Sequence, residues 1–340
     1  MSKDVAILSS ATAPRRASFA RRWTGRLVVG YGVAVVAAIS TMYAAGDLWW
    51  PGTLLLYSPR WVVALPLAPL ALAAVCFNRR AGVGLMLIAF VLVWFGMGFE
   101  VRGMLADDSP HRDALTVMTC NCEGRLKDPS VLKHLIEDEK PDLVLLQEWH
   151  AEGAAAVFGP GWYEAKAVHC VVSRYPVKVI RTLDWKELHP SGAVALVEVQ
   201  TPGGIVRVVN VHLPTMRNGM EAVIHKKWDG LKDLDALNAD RNAASELARG
   251  LMARPDMPTI VAGDFNLTRE SRVFRRHWGD LTDAFDAAGF GFGYTKFTSW
   301  HGARIDHILY DDAWTCRRCR VGPDIGSDHR PVIARLVPAR

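Results

Sequence analysis

At 340 residues, half of them hydrophobic and with a slightly positive mean hydropathy, the chain is too long for one small domain and too apolar to be disordered or collagen-like. Its +5 formal charge is unevenly placed: residues 1–105 hold ten Lys and Arg against three Asp and Glu, leaving thirty against thirty-two for residues 106–340. The basic excess therefore belongs to the N-terminal third, and the remainder lacks the overall surplus of cations that a nucleic-acid binder sets against several phosphates.

Leu27–Ala45, Trp61–Phe77 and Ala81–Phe99 are uncharged apolar runs of 19, 17 and 19 residues. Each is close to the ~20 residues that cross a hydrocarbon core, so all three read as transmembrane helices. A signal peptide accounts for the first run alone, and so short a stretch contains nothing else to cover three fully apolar helices. Pro66 and Pro69 interrupt the second run, a defect that neighbouring helices repair. Lys3, Arg15, Arg16, Arg21, Arg22 and Arg26 precede the first run, and Arg79 and Arg80 fill the turn between the second and third, whereas the first loop carries only Arg60. Cations are retained on the cytoplasmic side. The expected order is a basic cytoplasmic segment over 1–26, three crossings within 27–99, and an extracytoplasmic C-terminal domain.

Residues 100–113, with Asp107, Asp108, Ser109 and Pro110, read as a polar linker whose ~14 residues span at most ~50 Å. The domain expected over 114–340 alternates short β-rich runs with helical stretches. Strands are expected at Leu115–Thr119, Leu143–Leu146, Thr259–Ala262, Ile305–Tyr310 and Val332–Leu336, helices at Pro129–Glu139 and Ala239–Ala253, and a hairpin joins Val194–Val199 to Ile205–Val211. This pattern defines an α+β fold layered around a sheet core.

Polar clusters follow the apolar runs: Asn121 with Glu123, Gln147-Glu148, Asn210 with His212, Gly263-Asp264-Phe265-Asn266, Asp306-His307 and Ser327-Asp328-His329. Carboxylates, amides and imidazoles without a thiol-rich set suit a hard cation such as Mg²⁺ or Mn²⁺ better than a structural zinc. Taken alone, each cluster reads as a cap or turn rather than a site. Cys316 and Cys319 have C-x-x-C spacing, which supplies half a zinc site at most, so a disulfide or two free thiols is expected. Cys120 and Cys122 alternate with Asn121 and should face away from it.

In this order the clusters, together with Met118-Thr119-Cys120-Asn121, Pro141–Glu148, Ser173-Arg174-Tyr175-Pro176, Asn210-Val211-His212-Leu213, Arg304–Ile308 and Ser327–Val332, resemble the endonuclease/exonuclease/phosphatase superfamily over Leu115–Leu336. The resemblance implies a DNase I-like four-layer α/β-sandwich and hydrolysis of phosphoester or phosphoanhydride bonds. It implies metal ligation by Asn121, Glu148 and Asp328, and positioning of water and phosphate by Asp264 and Asn266. It further implies an Asp306–His329 dyad, and His212 as a second histidine that serves as general acid or phosphoryl donor. The superfamily often has Asp where this chain has Glu123, which puts ligation at that position in doubt. His307 should face the other side of its strand. His225, Lys226 and Lys227 read as a solvated charge cluster or a contact to anionic head groups, and Trp300 and His301 as pocket rim or packing.

Some bacterial members are similar in layout, with three N-terminal helices and an exported domain, and are associated with glycopeptide resistance and polyprenyl-pyrophosphate hydrolysis. The resemblance therefore implies a membrane-anchored hydrolase of a lipid phosphate at the outer leaflet. A surface nuclease and an inactive binding domain are the alternatives. Charge favours the lipid over nucleic acid, and the filled acid, base and ligand positions favour an enzyme over a binding domain.

Overall fold

Uncharged runs of Leu, Ala and Val fold as helices where no water reaches the backbone, because a helix satisfies its own N–H and C=O groups. The computed structural model describes residues 13–339 apart from 108, 125, 127, 150–156, 168, 189–190, 253–256 and 299. Lys3 and the rest of residues 1–12 of the expected cytoplasmic segment, and Asp108 of the expected linker, lie outside the described residues. Helix α1 (Ala13–Ala45) contains the first apolar run, and α2 (Trp50–Tyr57), which the sequence reading did not anticipate, follows after a short turn. The second run opens as a 3-10 turn, Arg60–Ala64, and continues as α3 (Leu67–Phe77). Pro66 precedes α3 and Pro69 lies in its first turn, where an N–H has no intrahelical partner to lose. The third run forms α4 (Arg79–Val91) and a π turn, Leu92–Gly96. Three stretches, Ser18–Ala45, Arg60–Phe77 and Arg79–Gly96, are long and apolar enough to cross a membrane.

Asn78, between α3 and α4, donates its amide to the Arg21 carbonyl at 3.1 Å, so Arg79 and Arg80 lie at the same end of α1 as Arg21. The C-terminal domain is joined at the other end. Asp47 pairs with Arg241 at 3.2 Å with both side chains fully buried, Arg60 pairs with Glu270 at 2.9 Å, and Arg269 reaches Glu100 at 2.6 Å. Residues 100–105, part of the expected polar linker, lie against this domain. Glu100 and Gly291 exchange backbone hydrogen bonds at 2.8 Å, and the Gly103 N–H donates to the Gly289 carbonyl at 2.7 Å. Burial and then the Asp286 carboxylate push the Glu100 pKa up, and the Arg269 guanidinium partly offsets them.

The domain's strands are β1 (Leu115–Gly124), β2 (Leu143–Trp149), β3 (Tyr163–Lys166), β4 (Cys170–Ser173), β5 (Val177–Leu183), β6 (Ala193–Thr201), β7 (Gly204–His212), β8 (Thr259–Asp264), β9 (Thr282–Asp283), β10 (Lys296–Phe297), β11 (Gly302–Ala303), β12 (Asp306–Tyr310), β13 (Trp314–Val321) and β14 (Val332–Pro338). They form two six-stranded mixed sheets, ordered β13-β14-β1-β2-β4-β3 and β5-β6-β7-β8-β12-β9, with β10 and β11 as a separate ribbon. Strand alternation then builds three apolar layers. Val117, Leu143, Leu145, Val197, Val208, Ile260 and Ile308 fill the space between the sheets. Met118, Cys120, Cys122, Val144 and Leu146 face α5 (Pro129–Glu139) through Leu132 and Ile136. Val209, Val211, Val261 and Phe265 face Ala244 and Ala248 of the long helix Trp228–Gly250 and Trp278 of the helix Arg272–Trp278. This is the four-layer α+β sandwich expected. The long helix starts eleven residues before the expected Ala239.

Cys120 and Cys122 pack on the face opposite Asn121, as expected. All six cysteines are free thiols. A bulge between Cys316 and Arg318 turns both Cys316 and Cys319 into the core, although residues three apart on a regular strand face opposite ways.

Candidate active site

The second sheet places three polar residues in one row: β8 pairs in parallel with β7 and antiparallel with β12, setting Asp264 beside His212 and Asp306. In the first sheet β1 and β2 pair in parallel, setting Asn121 beside Gln147. Close approach of β7 and β8 requires Gly263, whose φ is +148° and whose added Cβ would lie 1.9 Å from the Val211 carbonyl oxygen. That requirement fixes the first residue of Gly263-Asp264-Phe265-Asn266. Asn266 then turns back with φ +50°, its N–H donating to Asp264 Oδ1 at 2.8 Å and its Nδ2 to the Leu213 carbonyl at 2.9 Å. Glu123 and Glu148 also have left-handed backbones, with φ +48° and +49°. Such strain persists only where surrounding structure imposes it.

Asn121 joins the two sheets. Its Nδ2 donates to Glu148 Oε1 and to Asp264 Oδ2, both at 3.0 Å, while its Oδ1 accepts the Glu123 N–H at 3.0 Å. His212 Nε2 lies 3.5 Å from Glu148 Oε1 and 3.8 Å from Asp264 Oδ2. His329 Nδ1 contacts both oxygens of Asp306, at 3.1 and 2.9 Å, and its Nε2 lies 3.7 Å from Asp264 Oδ2. The structure thus gathers Asn121, Glu148, His212, Asp264, Asp306 and His329, with Asn266 at the turn behind them.

The charges shift one another. Burial and then the Asp306 carboxylate raise Asp264 above the usual carboxylate range, partly offset by His329 and His212. Burial alone would lower His329, but Asp306 and Asp264 outweigh it and raise its pKa to about 9.

Asp328 is engaged differently from a simple ligand. Its Oδ2 pairs with Lys296 and, at 3.2 Å, with Arg217, while its N–H lies 3.4 Å from Glu123 Oε2. Its Oδ1 is buried without a hydrogen-bond partner among the described residues, 3.7 Å from His329 Nε2. The ligand set expected from the sequence is therefore divided, with Asn121 and Glu148 joined directly and Asp328 held by two cations. Among the described residues, Asp264, Asp306 and His329 bring their ligand atoms within 4.8 Å of one another. Abundant carboxylate oxygen, including an orphaned buried one, fits a hard divalent cation.

Gln147 and Asn210, from the sequence clusters, and His169, Arg241 and Tyr57, which no motif marks, also contribute. Gln147 Nε2 donates to Asn210 Oδ1 at 2.6 Å, and Asn210 Nδ2 to the carbonyls of Leu146 and Cys170, which ties the sheets together beneath Asn121. His169 lies 5.4 Å ring to ring from His212, and burial followed by that neighbour lowers its pKa to about 3. From the helical side, Arg241 and the Tyr57 hydroxyl both donate to the Asn266 carbonyl, Tyr57 at 3.2 Å. His307 faces away from the cluster, bound to Asp283 at 2.7 Å and to the Leu267 carbonyl at 2.9 Å.

Two facing sheets thus bring an acid–histidine cluster together at their strand ends. Residues 118–329 match the model of the Endonuclease/Exonuclease/phosphatase family, and the chain belongs to that family, whose members hydrolyse phosphoesters and generally use divalent metals. Similar solved structures include a humanized D. rerio TDP2 (17% identity, 66% of this chain and 99% of that one, TM-score 0.49), an endonuclease/exonuclease/phosphatase from Beutenbergia cavernae (20%, 67% and 72%, 0.48) and a mannosyl-6-phosphatase from Bacteroides thetaiotaomicron (17%, 66% and 99%, 0.47). No curated protein matches the sequence.

Proposed function

We propose that this protein is a membrane-anchored, divalent-metal-dependent hydrolase of a phosphorylated lipid, such as a polyprenyl pyrophosphate, at the outer leaflet. The observation that carries the reading is the buried joint between the apolar helices and the site, in which Tyr57 and Arg241 meet at the Asn266 carbonyl. A joint of this kind supports the reading because it fixes the cluster to the apolar helices. The cations at the Arg21 and Arg79 end of the helices support an extracytoplasmic position for the domain at the other end.

Glu148 with Asn121, and Asp328 through its unpartnered oxygen, would hold Mg²⁺ or Mn²⁺. When bound, the cation polarises a phosphoryl oxygen and stabilises the leaving oxygen. Asp264, whose proton affinity is raised by burial, orients the attacking water and accepts its proton as the new O–P bond forms. His329, oriented by Asp306, donates from Nε2 to a phosphoryl oxygen. His212 supplies the proton that the leaving oxygen gains when the old O–P bond breaks, and Asn266 fixes the turn that carries Asp264.

The test offers the purified full chain polyprenyl pyrophosphate, phosphoinositide, sphingomyelin and DNA with Mg²⁺ or Mn²⁺. Phosphate release from a lipid is expected. Cleavage of DNA alone, weakening steeply as salt rises, would replace this reading with that of a nuclease.

A further inference from the structure

Two elements grip Asp328, and each runs from it to an exposed tryptophan beside an apolar helix. Arg217 opens the helix Arg217–Lys226, which leads through Ile224, His225 and Lys227 to Trp228. The Trp228 ring lies edge-on to Trp50, with centroids 6.4 Å apart. On the other side Lys296 lies in β10, and the turn between β10 and β11 carries Trp300. The Trp300 ring is 6.3 Å from that of Trp61, whose indole N–H donates to the Trp300 carbonyl at 3.2 Å.

Trp50 and Trp61 mark a level along the apolar helices. Trp50 opens α2 shortly after α1 ends at Ala45, and Trp61 lies in the first turn of the apolar stretch Arg60–Phe77. Both therefore lie at the boundary of the apolar segments, where indole rings favour the junction of acyl chains and head groups. Trp228 and Trp300, packed against them, are held at the same level. Trp228 is 77% exposed, Ile224 72% and Trp300 65%. Exposed apolar side chains beside the ends of apolar helices mark a contact surface, and the neighbouring Lys227 adds a cation suited to anionic head groups.

We propose that the tip of the helical pair, with Ile224 and Trp228, and the turn that carries Trp300 form a rim resting in the lipid head-group layer on either side of Asp328. A phosphoester then enters the cluster from the head-group plane. The inference rests on the membrane-anchored, lipid-phosphate reading above and adds to it the surface that meets the lipid.

The test uses the full chain in vesicles of phosphatidylglycerol and phosphatidylethanolamine. A nitroxide is placed at Ile224→Cys or, as an aqueous reference, at exposed Lys140→Cys beyond α5 in the opposite outer layer, each with Cys76→Ser. Relative accessibility to oxygen and to a water-soluble nickel complex should place the Ile224 label at head-group depth and the Lys140 label in water. Equal accessibility of both labels to nickel overturns the rim. In parallel, Trp228→Ala and Trp300→Ala should each lower kcat/KM on a phosphorylated lipid at least about tenfold more than on a water-soluble phosphoester. Equal losses on the two substrates also overturn it. If the Ile224 label lies at head-group depth but no lipid phosphate is hydrolysed, the rim stands and the proposed substrate falls. If lipid phosphate is hydrolysed while the label is in water, the substrate stands and the rim falls.

Discussion

Replacing Asp47 with alanine should loosen the domain from its helices and disturb the turn that carries Asn266 together. Arg241 is fully buried, with Nη1 on Asp47 at 3.2 Å, Nη2 on the Tyr57 hydroxyl and the Asn266 carbonyl, and Nε without a partner among the described residues. Asp47→Ala removes the carboxylate that faces this guanidinium and also an acceptor for the Ser271 hydroxyl. Removing one member of a buried ion pair costs about 3–5 kcal/mol, a large share of the roughly 5–15 kcal/mol that holds a domain folded. For a domain of this size each kcal/mol moves the midpoint by about 2–4 °C, so Tm should fall by about 6–20 °C. Thermal unfolding of the detergent-solubilised full chain measures this. The double variant Asp47→Ala with Arg241→Met removes both charges and should unfold at a higher temperature than Asp47→Ala alone. A single variant within about 2 °C of the parent would refute the reasoning, because an uncompensated buried guanidinium would then cost the fold almost nothing.

Glu148→Gln should lower turnover by at least about a hundredfold while leaving Tm nearly unchanged, and EDTA should silence the parent enzyme until Mg²⁺ or Mn²⁺ is restored; full activity in EDTA refutes metal dependence. His329→Gln should reduce kcat by about 10²–10³, the usual range for losing one hydrogen-bond donor to charge in the transition state, measured on a soluble phosphoester. Glu270 is fully buried, and although burial alone raises its pKa, Arg60, Arg304 and Arg269 hold it down at about 2. Its folded-state value therefore lies below the unfolded value of about 4.3, so its stabilisation is complete above that value and fades as pH falls toward 2; Glu270→Gln should flatten this part of an acid-unfolding profile. Burial pushes the Cys316 thiol up to about 12, and a membrane-permeant maleimide should label native protein at exposed Cys76 alone.

Local necessity decided how much of this could be read from sequence. Gly263 could be replaced by nothing larger, and Asp264 and Asn266 form a turn within three residues, so their segment announces itself. The α5 helix is equally legible, from Asp128 capping Ser130 N–H to Leu132 and Ile136 on one face. Lys296 and Arg217 carry no comparable mark, because Asp328 meets them only after folding, 32 and 111 residues away in sequence. The Asp47–Arg241 pair spans 194 residues and was hidden for the same reason. Glu100 likewise meets Arg269 across 169 residues, which is why residues 100–113 read as a polar linker. The start of the long helix was obscured by its polar surface: Asp229, Lys232, Asp233 and Asp235 are exposed, and only Gly230, Leu234 and Asn238 mark its buried side.

Arg60 begins the second apolar stretch and also binds Glu270. The stretch's eighteen residues, opening as a 3-10 turn and continuing as α-helix, cover only about 30 Å, so a thicker bilayer must thin locally or draw Arg60 inward. In a chain anchored as proposed, the second of these strains the Glu270 contact and, through the same joint, the turn carrying Asp264. Acyl-chain length would then tune turnover without any change in the head group offered, making the enzyme a gauge of bilayer thickness.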